Sequence, residues 1–214
     1  NAVVIGGGYI GLEVAASLTK AGIHVDVIEM AERLLARVAS PDISAFFANL
    51  HEDNNVGIHT GAINQEILQK DGVFSGIQLN DDRIIHAELL LVGIGVLPDL
   101  GVAADAGLTI GNGIIVDEMM QSSVADIYAI GDVALLDGAV SRIESVDNAQ
   151  ITAARAAAAI CGSSQPPGAA PWFWSEQFDV RLQSAGIVPQ DAAVQYVVRP
   201  GKREGGLSVW SYDV

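Results

Sequence analysis

The amino-acid sequence predicts an α/β fold, because its first part alternates buried strands with an amphipathic helix. Ala2–Ile5 is a continuous apolar run, which is typical of a strand buried on both faces. The glycine-rich turn Gly6–Gly11 follows it, and His24–Glu29 repeats the strand pattern with Val25 and Val27 on one face. Between the two strands, a helix is indicated by apolar side chains at a spacing of four, namely Ile10, Val14 and Leu18. The segment has the length of about 30 residues that a βαβ unit needs.

The following segments predict a second helix, a third strand and then antiparallel pairing. Ser40-Pro41-Asp42 is a strong helix start, since a serine N-cap precedes a proline in the first turn. This helix is expected to turn four apolar side chains inward: Ile43, Phe46, Phe47 and Leu50. Val56–Thr60 is expected to be a strand. Residues 63–86 form short alternating runs broken by turn residues, which predicts a β-meander.

The rest of the chain predicts short strands, a long helix and a linker. The expected strands are Glu88–Val92, Gly113–Val116 and Ile127–Ile130. An alanine-rich helix should run from about Asp147 to Cys161, and residues 163–168 have the composition of a linker. Aromatic and alternating runs beyond it predict the start of an antiparallel β region, namely Trp172-Phe173-Trp174, Val194–Val198 and Leu207–Tyr212.

Composition and charge exclude several classes of protein. Half of the 214 residues are apolar, so the chain is globular, and the net charge of −15 argues against a nucleic-acid partner. No apolar run reaches the roughly 18 residues of a membrane span, and no secretory signal is found, so we expect no membrane partner and a cytoplasmic location. Cys161 is the only cysteine, which excludes an internal disulfide. The four histidines lack ligand spacing, so no metal site is expected.

The glycine-rich turn has the spacing of a pyrophosphate-binding loop. Gly6, Gly8 and Gly11 match GxGxxG directly after a strand and at the start of a helix. In this pattern the first glycine permits a tight turn, the second lets the backbone approach the pyrophosphate, and the third lets helix and strand pack closely. The helix N-terminus adds unpaired N–H groups and the positive end of its dipole. We predict dinucleotide binding, with a structural glycine turn as the alternative.

Glu29 predicts which dinucleotide is bound. It ends the second strand, where a carboxylate accepts hydrogen bonds from the adenosine ribose and repels a 2′-phosphate. Met30-Ala31-Glu32 supplies no cation to offset this repulsion before Arg33. The sequence therefore favours NADH over NADPH, and a solvated acid at a strand end is the alternative.

A second candidate site lies downstream, where Gly131 and Asp132 follow the apolar run Ile127–Ile130. An aspartate at the end of a buried strand suits a polyol hydroxyl, so the two signatures together suggest two nucleotide cofactors, NAD and FAD. A simple turn explains Gly131-Asp132 equally well. Glu13 reads as an exposed acid that favours the helix dipole. Trp172 and Trp174 are more often core residues than functional ones.

Four strings in order resemble a known family: GGGYIGLE from Gly6, GIGVLP from Gly93, YAIGDVA from Tyr128 and PWFWSEQ from Pro171. They are similar to the FAD-dependent NADH:ferredoxin reductases of oxygenase systems, which include the reductases of aromatic-ring dioxygenases, putidaredoxin reductase and rubredoxin reductase. PWFWS is the most specific of the four. The resemblance implies an enzyme that moves electrons from NADH through FAD to a [2Fe–2S] ferredoxin or a rubredoxin-like acceptor.

The resemblance also implies roles for individual residues. Glu13 would lie near the nicotinamide and serve as the catalytic residue. Gly95 and Gly131 would belong to the cofactor-binding strings, and Asp132 would bind the flavin ribityl chain. Val146-Asp147-Asn148 would place a helix N-terminus at the flavin pyrimidine edge. Trp172 and Trp174 would lie towards the flavin and the iron–sulfur partner.

The implied organisation has three parts: residues 1–92 bind NAD(H), residues 93–163 form the later part of an FAD domain, and residues 164–214 begin a C-terminal α+β domain. We expect the sequence to be a piece of a longer protein, because it has no initiator methionine and lacks the first FAD glycine motif of the family. Two alternatives remain. One is a disulfide oxidoreductase with the same nucleotide motifs, and the other is a non-catalytic NADH-binding module.

Overall fold

A four-stranded parallel sheet organises the first part of the computed structural model. Its strands are β1 (Ala2–Ile5), β2 (Val25–Glu29), β3 (Gly57–Thr60) and β7 (Leu89–Val92). β1 is central, since it pairs in parallel with β2 on one side and with β7 on the other. The predicted βαβ unit and its third strand are therefore confirmed, with β3 beginning one residue later than expected.

The structure describes residues 1–187, 194–202 and 205–212. The chain forms two compact units. The first comprises Asn1–Gly95, Ser175–Leu182 and Ile187–Val214, and the second comprises Val96–Trp174 and Gln183–Gly186. The division at residues 92 and 163 expected from the sequence stays a prediction.

The two faces of the parallel sheet are covered differently. Ala2 and Val4 point into a core formed with the helices α1 (Tyr9–Lys20) and α2 (Pro41–Asp53). Val3 and Ile5 point the other way, into a second cluster built with the antiparallel strands that precede β7. A strand buried on both faces reads as an unbroken apolar run, which explains why β1 was recognisable from sequence.

The inward face of α1 differs from the predicted one. Ile10 is 63% exposed, while the fully buried helix positions are small or compact: Gly11, Leu12, Ala15 and Ala16. Small side chains let the helix lie close to β1, whereas Ile10 faces solvent. Val14 and Leu18 are partly buried, and Leu18 does contact the core.

The α2 prediction is confirmed in detail. The Ser40 hydroxyl accepts a hydrogen bond from the Ile43 amide, and Pro41 opens the first turn. Phe47 is buried, and Ile43, Phe46 and Leu50 pack against the same core.

The predicted meander is also confirmed. It consists of β4 (Asn64–Lys70), β5 (Val73–Leu79) and β6 (Ile84–His86), which pair in antiparallel order. The C-terminal part forms two two-stranded sheets. One pairs β10 (Trp172–Gln177) with β11 (Val180–Ala185), and the other pairs β12 (Gln195–Pro200) with β13 (Leu207–Tyr212).

The second unit contains α3 (Gly101–Asp105), β8 (Ile114–Val116), a 3₁₀ turn at Gly131–Val133, β9 (Ala134–Leu136) and α4 (Val146–Cys161). β8 and β9 pair in parallel, and α4 begins at the Ser145 N-cap and ends at Gly162. The parallel partner β9 and the short helix α3 were not predicted.

The predicted strand Ile127–Ile130 is wrong. Tyr128 makes an isolated antiparallel bridge with Gln121, and the Ala129 amide bonds to Met120 of the same preceding turn. The Gly131 amide then donates to the Thr152 hydroxyl instead of to a neighbouring strand. The run is apolar because Ala129 contributes to the core of this unit, although its backbone does not form a ladder.

Candidate functional site

The glycine loop is held so closely by backbone that side chains do not fit at two of its positions. Gly6 has a φ of +110°, and a Cβ there would lie 2.4 Å from the Gly93 carbonyl oxygen. A Cβ on Gly11 would lie 2.0 Å from the Gly6 carbonyl oxygen. The first glycine is therefore required by the turn, and the third by the contact between α1 and β1.

Gly8 is in the opposite situation. It is the N-cap of α1 in extended conformation, and a Cβ built on it meets nothing within 4 Å in the described part of the chain. Within that part, the helix start also carries no side-chain cap. The space beside Gly8 at the start of α1 is therefore open at the position where the pattern predicts a pyrophosphate. This arrangement fits a dinucleotide.

The Glu29 carboxylate is fixed beside the same loop. Its Oε2 accepts a hydrogen bond from the Gly7 amide at 2.6 Å, and its Oε1 accepts one from the Ala31 amide at 2.8 Å. A carboxylate can accept about four hydrogen bonds, so acceptor capacity remains for ribose hydroxyls. The predicted acid is thus oriented by the loop that it serves.

Arg33 and Tyr9 refine the electrostatics of this region. The Arg33 guanidinium donates to the Ala36 and Ala39 carbonyls and to the Ser44 hydroxyl, which ties it to its own loop and to the start of α2. Burial raises the pKa of the Tyr9 hydroxyl to about 12. Tyr9 is therefore a neutral phenol at the start of α1.

Glu13 lies on the second turn of α1 and is half-buried. Its Oε1 accepts a hydrogen bond from the Ser175 hydroxyl at 2.5 Å, although the two residues are far apart in sequence. Gly95 lies beyond β7 with a φ of +115°, a conformation that favours glycine. Glu13 and Gly95 belong to the same unit as the glycine loop and Glu29.

The second unit holds the remaining predicted site residues. Gly131 is buried with a φ of +67°, and Asp132 follows it in the 3₁₀ turn with its side chain exposed to solvent. The Asp132 carbonyl accepts a hydrogen bond from Arg142, whose guanidinium also pairs with Glu144 at 2.7 Å. An exposed carboxylate on a turn fixed by Arg142 and Thr152 fits a polyol hydroxyl.

The start of α4 is attached to the aromatic segment. Val146 opens the helix and is exposed, and the Asp147 carboxylate accepts a hydrogen bond from the Trp172 amide at 3.2 Å. Trp172 and Trp174 lie on the same side of β10, with ring centroids 5.0 Å apart. Both rings are only partly buried, and neither belongs to the core cluster of this unit. The structure thus connects the start of α4 to the start of β10.

Sequence reasoning missed three polar residues that support the predicted ones: Arg142, Thr152 and Ser175. Each acts on a residue distant in sequence, at a separation of 10, 21 and 162 positions respectively. A spacing pattern identifies local loops, and it carries no signal for such pairs.

Two structural absences concern only residues 1–187, 194–202 and 205–212. Within these ranges no helix has both the length and the apolar character to cross a bilayer. The same residues contain no cluster of three or more metal-ligating side chains.

A parallel sheet with the order β3-β2-β1-β7, a glycine loop at the end of β1 and an acid at the end of β2 are typical of the dinucleotide-binding class of α/β proteins. The family model described as pyridine nucleotide-disulphide oxidoreductase matches residues 1–153, and a model described as reductase C-terminal matches residues 172–214. The chain belongs to the pyridine nucleotide-disulphide oxidoreductase family. The resemblance to FAD-dependent ferredoxin reductases stated above is confirmed.

Similar curated proteins carry related names. The chain is 44% identical over 191 residues to a 5,5'-dehydrodivanillate O-demethylase ferredoxin reductase subunit of Sphingobium, covering 86% of this chain and 46% of that protein. It is 43% identical over 192 residues to putidaredoxin reductase CamA of Pseudomonas putida, covering 86% of this chain and 45% of that protein. The chain therefore spans about half the length of the curated relatives it matches.

Solved structures agree on the fold. The ferredoxin reductase for the CYP199A2 system of Rhodopseudomonas palustris superposes with a TM-score of 0.90 at 39% identity, over 99% of this chain and 53% of that one. The reductase in a covalent putidaredoxin reductase–putidaredoxin complex gives a TM-score of 0.92 at 37% identity, over 99% of this chain and 52% of that one. The α/β fold class predicted from the sequence is confirmed.

Proposed function

We propose that the protein containing this chain is a flavoprotein oxidoreductase that passes electrons from NADH through FAD to a [2Fe–2S] ferredoxin serving an oxygenase. The observation that carries the NADH part is the Glu29 carboxylate, fixed by the Gly7 and Ala31 amides beside an open glycine loop. The acceptor part rests on the relatives, whose names describe reductases of ferredoxins, putidaredoxin and rubredoxin.

In this proposal the first unit binds NADH. The backbone at Gly8 and the N-terminus of α1 hold the pyrophosphate, and Glu29 accepts hydrogen bonds from the adenosine ribose. The same carboxylate disfavours NADPH by repelling a 2′-phosphate. Glu13 receives the nicotinamide end, one turn further along the helix.

The second unit contributes to the FAD site. Asp132 presents an exposed carboxylate to the ribityl chain. Gly131 allows the tight turn before it, because its positive φ is a backbone conformation that favours glycine. Val146 opens α4, whose positive N-terminal end stabilises negative charge on a bound ring. FAD, when bound, supplies the conversion of a two-electron hydride transfer into single electrons. No side-chain general base is required of this chain.

Trp172 and Trp174 form the face towards the iron–sulfur partner. Their rings are partly exposed and outside the core cluster, and large aromatic side chains bury much area at an interface with little loss of conformational entropy.

A cytoplasmic location agrees with a chain whose one cysteine, Cys161, is free and exposed.

An anaerobic experiment on the complete, FAD-loaded protein tests the proposal. NADH should bleach the flavin absorbance, NADPH should do so far more slowly, and added [2Fe–2S] ferredoxin should then be reduced. Reduction of a small disulfide without reduction of ferredoxin would instead identify the activity as that of a disulfide reductase. A protein that binds NADH and carries no flavin would be a non-catalytic NADH-binding module.

A further inference from the structure

A line of hydrogen-bonded side chains connects α1, α2 and β10 within the first unit. The Ser175 hydroxyl donates to Glu13 at 2.5 Å, and the Gln177 amide nitrogen donates to the Ser175 hydroxyl oxygen at 3.1 Å. The Gln177 amide oxygen lies 2.9 Å from His51 Nε2. Ser175 and Gln177 are two positions apart in a strand, so they share the face of β10 opposite to the tryptophans.

Every hydrogen bond in this line is donated in the same direction, from His51 towards Glu13. The Gln177 oxygen can only accept, so His51 Nε2 carries the proton and donates it. Burial lowers the pKa of His51, and the hydrogen bond with Gln177 opposes this effect to a smaller extent, so the ring is neutral near pH 7. The other ring nitrogen, Nδ1, has no hydrogen-bond partner among the described residues. The line therefore starts at His51 and ends on the Glu13 carboxylate.

Three of the four groups are removed from solvent. Ser175 is 1% exposed, and Gln177 and His51 are 0% exposed. Buried polar side chains cost stability relative to apolar ones of the same shape, even when they are hydrogen-bonded. A strand that needed only to pack on the core would be served better by apolar residues at both positions. The polar side chains of Ser175 and Gln177 are explained by their effect on Glu13. One oxygen of the Glu13 carboxylate is held by a short, charge-assisted hydrogen bond.

We propose that Ser175, Gln177 and His51 are positioning residues that fix the Glu13 carboxylate for the nicotinamide end of NADH. Ser175 occupies Oε1, which leaves Oε2 to accept from the carboxamide N–H of the nicotinamide. The inference rests on the proposed function, because it needs NADH in the glycine loop. It adds that part of the nicotinamide subsite is set by the hairpin of β10 and β11 and not by the dinucleotide-binding segment itself.

Binding of two probes to the complete, FAD-loaded protein tests this inference. NAD⁺ carries the nicotinamide and does not reduce the flavin, whereas ADP-ribose lacks the nicotinamide and occupies the rest of the site. Ser175→Ala should weaken NAD⁺ roughly tenfold, as expected for losing a hydrogen bond to a charged group, and should leave ADP-ribose affinity unchanged. Ser175→Thr keeps the hydroxyl and should restore NAD⁺ binding.

Ser17→Ala is the matched control. The Ser17 hydroxyl lies on the same helix and bonds to the Glu13 backbone carbonyl, not to its carboxylate, so both affinities should stay at the wild-type value. Gln177→Met removes the second link with little change in volume and should reproduce the selective loss of NAD⁺ in a smaller degree. It also serves as the test if Ser175→Ala does not fold.

The outcomes separate the two proposals. Wild-type protein that binds neither probe would overturn the proposed function. Wild-type protein that binds both, combined with hairpin variants that lose neither probe or lose both equally, would overturn the positioning role and leave the proposed function intact. A loss confined to NAD⁺ would establish the role.

Discussion

The glycines of one motif meet different physical demands. Gly11 is confined, since a methyl group there would press on the Gly6 carbonyl oxygen at 2.0 Å. Gly8 is open, and its φ of −81° is one that any residue adopts. The same residue type therefore serves packing at one position and ligand access at another.

Alanine substitutions should separate these two roles. Gly11→Ala should destabilise the fold by several kcal/mol, because a backbone oxygen cannot move away without shifting β1 or α1. Gly8→Ala should leave the unfolding temperature within a few degrees of wild type and weaken NADH binding, because the methyl group enters space meant for the pyrophosphate. Thermal unfolding and NADH titration on both variants check this. Equal NADH affinity in Gly8→Ala and wild type would remove the pyrophosphate assignment.

Coenzyme choice is predicted to depend on Glu29. Glu29→Ala should weaken NADH by about 1.5–3 kcal/mol, the loss expected for a charged hydrogen-bond partner, and should narrow the preference over NADPH. Glu29→Gln is the useful control, because its amide oxygen can still accept from the Gly7 or Ala31 amide while the charge is absent. Titration of both coenzymes into the three proteins decides the matter, and unchanged NADH affinity in Glu29→Ala would contradict it.

At the scale of elements, the predictable parts were those with strong local signals. The Ser40-Pro41 start gave α2, and alternating runs with turn residues gave the meander. Ile127–Ile130 failed because four apolar residues are too few to separate a strand from a loop that contributes one side chain to a core. The cofactor signatures were also local, whereas the hydrogen bond from Ser175 to Glu13 joins elements that no periodicity relates.

The two tryptophans at the start of β10 are predicted to affect electron transfer to the ferredoxin. Trp172→Ala or Trp174→Ala in the complete protein should slow reduction of the ferredoxin, because a large aromatic anchor is removed from the partner face. Flavin reduction by NADH should change less, because neither tryptophan belongs to the unit that carries the glycine loop and Glu29. Stopped-flow measurement of each half-reaction separates the two steps.

Trp210 in β13 provides a matched control, since it is an exposed tryptophan, at 64%, in the same C-terminal part of the chain. Trp210→Ala should leave both half-reactions at the wild-type rate. If Trp172→Ala and Trp174→Ala also reduce ferredoxin at the wild-type rate, the aromatic pair is only a packing contact.

At the scale of the whole molecule, His51 should make stability depend on pH. Its pKa is lowered by burial, so between the folded and unfolded pKa values the unfolded state binds more protons. Stability is therefore full above about pH 6.5, the ordinary pKa of histidine, and falls as the pH drops below it, by at most about 1.4 kcal/mol per pH unit.

His51→Gln isolates this contribution, because glutamine does not titrate and can still donate to Gln177. The unfolding temperatures of wild type and variant should be measured from pH 7.5 to pH 5.0. The difference between them should decrease as the pH falls, since only the wild type loses this contribution. Comparing the two proteins at each pH leaves only the contribution in which they differ, that of residue 51. A difference independent of pH would mean that His51 does not titrate in this range.

The loop that joins β10 to β11 has a consequence for the order of assembly. Phe178 takes a φ of +56°, which a bulky residue rarely adopts, and its ring packs against His51 while its carbonyl accepts a hydrogen bond from Lys20. The backbone strain at Phe178 is offset by these contacts with residues much earlier in the sequence. Such contacts join residues far apart in the sequence, so they form late in folding, after α1 and α2. During synthesis the N-terminal helices emerge first and form the template on which the β10–β11 hairpin closes.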